Sequence, residues 1–402
     1  MKGNLEKRGD RFRMRVTVGY NEKGNPIRVS EYAKAKSKRE AEKELALFIA
    51  RIESGDYVKP DKTLLKDFVD DWLEKYAKKN IEYNTYSGYL NILKKRILPK
   101  YGGMKISDIK TMHIVDFVNE LQKPNAKLDG SGPLAVSSIW NCYKAFNSVM
   151  KCAKNWGLIS KNPCEGVQVA KGNIRSQTTD VYTVEDLNIL YDKLDSEPLD
   201  KQILVILAVT TGAREAEIAA LEWKHIDFEN HEVLFEQTLY EETGKGVQIK
   251  DSTKTKRDRI VNLSDSIIPL LKMYKVDWEE TKELAGELRE YKDHDFIFCN
   301  GVTGKPIRPD SISQWWSRFL QRTGIKKKIR FHDLRHTSAT LLINAGVHET
   351  VVQKRLGHSN ISTTLNIYNH VLREQNKSAA NVFDSILSKK DSAPNSTPKN
   401  IK

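Results

Sequence analysis

The stretch "FHDLRH", residues 331–336, decides how this chain is read. His332 and His336 stand four apart with Asp333 directly after the first. That is close to the zinc-protease spelling H-E-x-x-H, in which two histidines on one helical face bind metal and the carboxylate acts as general base. Arg335 argues against it. On a helix it lies three residues after His332, on the same face, where a zinc ion would meet a fixed cation. No third Glu or His follows at a metalloprotease spacing. His332 and Arg335 make better sense as an anion clamp. The guanidinium fork pairs two phosphate oxygens, and the imidazole adds a donor that can also move a proton.

Two other stretches share this character. In "TTGAREAEIAAL", residues 210–221, Gly212 breaks an apolar helix and Arg214 opens the next, with Glu217 one turn on to hold its fork rigid. In "RLGHSNISTTLNIYNH", residues 355–370, Gly357 ends a helix, His358 follows, and Ser362 caps a further helix carrying Tyr368. Between them, residues 231–263 read as hairpin strands turning at Gly244 and Gly246, and helices are expected to fill 264–388. Upstream, "TVEDLNILYDKL" and "KQILVILAVTTG" read as helices.

The rest of the chain reads as two further domains, as a length of 402 residues leads one to expect. In "RFRMRVTV", Phe12, Met14, Val16 and Val18 alternate with Arg11, Arg13, Arg15 and Thr17, a strand with one apolar and one basic face. "IRVSEYA" supplies a second strand, and Ser37 with Glu40 forms a capping box opening a helix through about Glu53. After a short linker, four amphipathic segments between residues 64 and 157 predict a helical bundle, with Trp72, Tyr76, Tyr86, Tyr89, Trp140 and Tyr143 in its core. The expected domains are residues 1–57, 62–171 and 180–388, followed by a disordered tail over 389–402.

Net charge is +13, unevenly spread. Residues 1–57 carry 14 Lys and Arg against 9 Asp and Glu, residues 62–171 carry 18 against 10, and residues 172–402 carry 33 of each. A solvated lysine-rich surface would give such an excess, and so would a grip on a polyanion. The four cysteines are scattered singly, which indicates neither a zinc ribbon nor a disulfide framework; they read as buried apolar groups in a reducing compartment. No apolar run reaches membrane-span length and the N-terminus lacks a signal-peptide core, so a place in the cytosol is expected.

The order Arg214, a lysine in "TKTKRDRIVNL", His332-x-x-Arg335, His358 and Tyr368 resembles the phage integrase family of tyrosine recombinases. "TGAREAE", "HDLRHTSATLL" and "LGHS" with a tyrosine ten residues after that histidine carry the resemblance jointly. It implies an α+β multidomain chain: a small sheet-plus-helix arm-binding domain, an all-helical core-binding domain, and a mainly helical catalytic domain with a β-hairpin. It makes Tyr368 the nucleophile, with Arg214, Lys254, His332, Arg335 and His358 around the scissile phosphate. Lys254 is preferred to Lys256 because it opens the second strand, five residues before Arg259. The resemblance further implies double-stranded DNA with core-type and arm-type sites, a homotetramer on DNA, a host DNA-bending protein and an excisionase as partners, and no cofactor.

The residue types suit that chemistry. A phenol is a poor nucleophile at neutral pH but a good covalent carrier of a phosphoryl group, and two arginines spread charge building on the phosphate. A lysine protonates the departing 5′-oxygen, and a histidine takes the tyrosyl proton and returns it. A type IB topoisomerase would share these groups, and a DNA-binding regulator would share the scaffold. The arm-like N-terminal domain argues against the first, and the intact Tyr368, Arg214 and Arg335 argue against the second.

Overall fold

The computed structural model describes residues 1, 3–54, 62–169, 180–251 and 258–357. Lys254, His358, Tyr368, the part of the expected helices beyond residue 357 and the tail over 389–402 lie outside the described residues. The chain divides into two compact units, Met1–Arg175 and Ser176–Lys402.

The first unit opens with β1 (Gly3–Arg8), β2 (Arg11–Tyr20), β3 (Pro26–Tyr32) and α1 (Lys38–Glu53). The strands form an antiparallel sheet in the order β1-β2-β3. Period-two alternation in β2 is realised: Phe12, Met14 and Val16 are buried, Arg11 is exposed, and Arg13 and Arg15 are half-buried. Val18 leaves the buried face where the register shifts between Thr17 and Gly19. Ser37 caps α1 by accepting from the Glu40 N–H at 3.4 Å, and its hydroxyl donates to the Glu40 carboxylate at 2.8 Å. The sequence reading missed β1, whose polar spelling "GNLEKR" offers little alternation to find.

The helical part holds α2 (Leu65–Trp72) and α3 (Lys78–Asn80), joined by a π-turn at Leu73–Ala77. Next come α4 (Tyr83–Ile92) and α5 (Leu98–Tyr101), joined by another at Leu93–Ile97, then α6 (Thr111–Leu121) and α7 (Val136–Asn155). Its buried residues form a cluster that shares no member with the cluster between the sheet and α1. Of the six aromatics expected in this core only Trp72 is fully buried. Tyr86, Tyr89, Trp140 and Tyr143 pack at its edge, and Tyr76 is exposed. Phenol and indole groups keep a polar tip near water, and the Tyr143 hydroxyl donates to the Cys164 carbonyl at 2.7 Å. Cys142, Cys152 and Cys164 are buried as expected, whereas Cys299 of the second unit is half-buried.

The second unit begins with α8 (Val184–Leu194), α9 (Leu199–Thr211) and α10 (Glu215–Ala219). Helix α9 is apolar nearly all round and sits in the core, burying Ile203, Leu204, Val205, Leu207, Ala208 and Val209. Strands β4 (Ile226–Asp227), β5 (Glu232–Phe235), β6 (Gln237–Glu242), β7 (Gly246–Asp251) and β8 (Arg259–Asn262) follow. They do not form one hairpin run. β6 pairs with β7 alone, while β8 returns to β5 in a separate sheet ordered β4-β5-β8. The second hairpin strand therefore starts at Gly246, not at Lys254.

Helices α11 (Ile268–Ala285), α12 (Pro309–Arg322), α13 (Asp333–Asn344) and α14 (Glu349–Leu356) complete the described part. Residues 289–308, expected to be helical, instead form loops with bridges Glu222↔Phe296 and Cys299↔Pro306. The buried indoles of Trp278 and Trp316 anchor α11 and α12 by donating to the Phe296 and Ile329 carbonyls at 3.0 and 2.8 Å. Among the described residues no helix is long and apolar enough to cross a membrane.

Candidate active site

Two left-handed glycines shape the site. Gly212 ends α9 at φ 63°, and a β-carbon there would lie 2.2 Å from Leu356 Cδ2, so any other residue would be strained and would have to displace Leu356. The reversal sets Arg214 as the N-terminal cap of α10. Gly357 ends α14 at φ 67°, and its carbonyl accepts from Arg214 Nη2 at 3.3 Å.

Glu217 accepts the Arg214 backbone N–H at 2.7 Å and its Nη1 at 2.7 Å, so the expected support of Arg214 is present. The same carboxylate accepts Arg259 Nη1 and Nη2 at 3.0 and 2.7 Å. Burial pushes the Glu217 pKa up, but the Arg259 and Arg214 guanidiniums outweigh it and hold it at about 2. Arg259 was not among the expected site residues. The sequence offered little signal for it: in "RIVN" Ile260 and Val261 are both apolar, and only the structure shows Arg259 half-buried on the face of Val261.

Arg335 is only 4% exposed. Its Nη1 donates to the Gly212 carbonyl at 2.7 Å, and its Nη2 has no hydrogen-bond partner among the described residues. Burial lowers its pKa to about 9, with Arg214 and Arg259 adding repulsion and Glu217 offsetting part of it. Two guanidiniums thus grip one carboxylate, and a third, that of Arg335, lies in their field with a donor to spare.

His332 is the N-cap residue of α13, with its ring 5.6 Å from that of His336. Although much of its surface is accessible, loss of hydration on its packed side, followed by the like charges of His336 and Arg335, holds its pKa below the ordinary 6.5. Asp333 is hydrogen-bonded to Arg330. Its carboxylate accepts Arg330 Nε and Nη2 at 3.0 and 2.8 Å and the Arg330 N–H at 2.9 Å. The buried Asp333 carboxylate is thus committed to the exposed Arg330 and is not free to serve as a base, which weakens the zinc-protease analogy of "FHDLRH". Among the expected residues the structure thus groups Arg214, Glu217 and Arg335. Arg11, Arg13 and Arg15 belong to β2 in the other unit, where Arg13 donates to the Ser30 hydroxyl at 3.0 Å.

Together these make a cationic site, with one buried donor uncommitted among the described residues, in a mainly helical unit. The sequence pattern of the phage integrase family matches residues 180–375, and that of the phage integrase N-terminal SAM-like domain matches residues 64–122. A tyrosine recombinase XerC-like protein of Caldanaerobacter subterraneus subsp. tengcongensis is 31% identical over 402 residues, covering 96% of this chain and 99% of its own length. The ICEBs1 integrase of Bacillus subtilis is 26% identical over 308 residues, covering 76% and 78%. The chain belongs to the phage integrase family and is a tyrosine recombinase. Among solved structures, the Tn1549 transposon integrase in complex with a circular intermediate DNA shares the fold with a TM-score of 0.63 at 18% identity, covering 78% of this chain and 100% of that one. A lambda integrase tetramer bound to a Holliday junction gives 0.51 at 18% identity over 90% and 94%.

Proposed function

We propose that this recombinase integrates and excises a phage or other mobile element by cleaving and rejoining DNA through a 3′-phosphotyrosine. The observation that carries the reading is the buried Arg335 with its unpartnered Nη2, in the field of Arg214 and Arg259: an anion site prepared before any anion arrives. In the proposed reaction the Tyr368 oxygen attacks the scissile phosphorus as its proton passes to His332. The bond from phosphorus to the 5′-oxygen breaks, and Lys254 protonates that oxygen. Arg214 and Arg335 spread the charge on the non-bridging oxygens, each donor being worth about 3 kcal/mol, and His358 adds a further donor. A 5′-hydroxyl from another duplex then attacks the phosphotyrosine and reseals the strand, since the bond energy was conserved.

The domain assignment proposed with it is residues 1–57 for arm sites through Arg11, Arg13 and Arg15, 62–171 for core sites, and 180–388 for catalysis. Binding of DNA and assembly as a tetramer are supported by the lambda integrase likeness, whose structure is a tetramer on a junction. A host DNA-bending protein, an excisionase and a cytoplasmic, nucleoid-associated location complete the proposal. The test is a nicked suicide duplex carrying the attachment sequence that flanks the gene. Wild type should form a denaturation-resistant covalent adduct and Tyr368→Phe should bind equally but form none. An adduct from the variant would move the nucleophile elsewhere.

A further inference from the structure

We infer that Arg259 is a positioning residue of the recombination site, acting through Glu217 on Arg214 and through the Arg355 carbonyl on the turn at Gly357. The inference rests on the recombinase reading and concerns a residue to which that reading assigns nothing. Arg259 is held on every side. Its Nη1 and Nη2 grip both Glu217 oxygens at 3.0 and 2.7 Å, its Nε donates to the Arg355 carbonyl at 2.9 Å, and its guanidinium lies 4.6 Å from the centre of the Phe235 ring. Each of its three nitrogens is thus engaged with protein, whereas Arg335 keeps Nη2 uncommitted. A guanidinium so occupied acts through its partners and not on the substrate.

The grip on Glu217 sets what Arg214 can do. Glu217 takes two side-chain donors from Arg259 and only one, Nη1, from Arg214, because Arg259 claims the bidentate face. Without Arg259, the Arg214 fork would be free to leave the Gly357 carbonyl and close on both Glu217 oxygens, turning it from the position that phosphate requires. The second contact works on the other wall. A β-carbon on Gly357 would stand 3.1 Å from Arg259, so the α14 terminus whose carbonyl meets Arg214 Nη2 is seated against the same guanidinium. One side chain therefore sets the position of Arg214 from both sides.

The experiment compares covalent adduct formation on two suicide duplexes, one with the natural scissile phosphate and one with a methylphosphonate there. The methylphosphonate replaces a charged non-bridging oxygen by a methyl and needs less guanidinium stabilisation. On the natural duplex Arg259→Gln should slow single-turnover cleavage about 100-fold. On the methylphosphonate most of that difference should vanish, and adding Arg259→Gln to Arg214→Ala should cost nothing further. Arg259→Lys keeps stem and charge without the bidentate grip, and it serves in the same comparisons if the Gln variant loses cooperative unfolding. An equal loss on both duplexes, or additive losses with Arg214→Ala, overturns the inference. A wild type that forms no adduct overturns the recombinase reading itself.

Discussion

Glu217 carries the largest electrostatic load among the described carboxylates, and this makes its titration observable. Its pKa near 2 lies below the ordinary 4.5, so its contribution to stability is complete above about 4.5 and is lost as pH falls through 2. A shift of that size corresponds to about 3 kcal/mol. Urea unfolding at a series of pH values should therefore find Glu217→Gln much less stable than wild type at neutral pH, with the gap closing as pH falls towards 2. A gap constant down to pH 2 would sink the account. His332 titrates with the opposite consequence for catalysis: with its pKa depressed it stays neutral, and able to accept the tyrosyl proton, to lower pH than an ordinary histidine. The acid limb of the cleavage rate attributable to it should lie below 6.5 and disappear in His332→Gln; a limb at or above 6.5 would count against it. Lys254 is tested by leaving-group chemistry. Lys254→Ala should cleave poorly on normal DNA yet recover on DNA with a bridging 5′-sulfur, because a thiolate departs without a proton. Recovery by Lys256→Ala instead would reassign the acid.

At the scale of elements, the α9–α10 reversal is the most exacting piece of the site. Gly212→Ala must place a β-carbon at positive φ and against Leu356, costing about 2 kcal/mol or more, and must shift the carbonyl that receives Arg335. The expected result is a lowered urea midpoint together with a cleavage loss that persists at temperatures where the variant is fully folded; unchanged kinetics in the folded variant would refute the link. Such local devices were legible in the sequence. The Ser37 cap of α1, the alternation of β2 and the glycine stops after α9 and α14 are set by neighbours within a few residues. What escaped the sequence reading was pairing at a distance. Nothing local says that β8 leaves β7 for β5, or that Arg259 meets Glu217 across 42 positions, because those partners are chosen by burial in a shared core. Edge strand β1 was missed for the opposite reason: its polar residues spell no face, and its pairing with β2 alone defines it.

At the scale of the whole chain, the charge is the feature to test. All of the excess lies in the first 171 residues, while residues 172–402 are balanced, as the proposed separation of grip from chemistry requires. Removing residues 1–57 should spare adduct formation at a core site, abolish a steeply salt-dependent binding mode, and cripple integration between two sites. Undiminished integration by the truncated chain would end the arm-binding assignment. The sheet and α1 keep a core of their own, Phe12, Met14, Val16, Ala33, Ala41 and Phe48, and lend no buried residue to the helices that follow. In terms of descent, such a piece is heritable on its own. On the proposed arm-binding assignment, exchange of residues 1–57 between related elements would swap that grip and leave the reaction untouched.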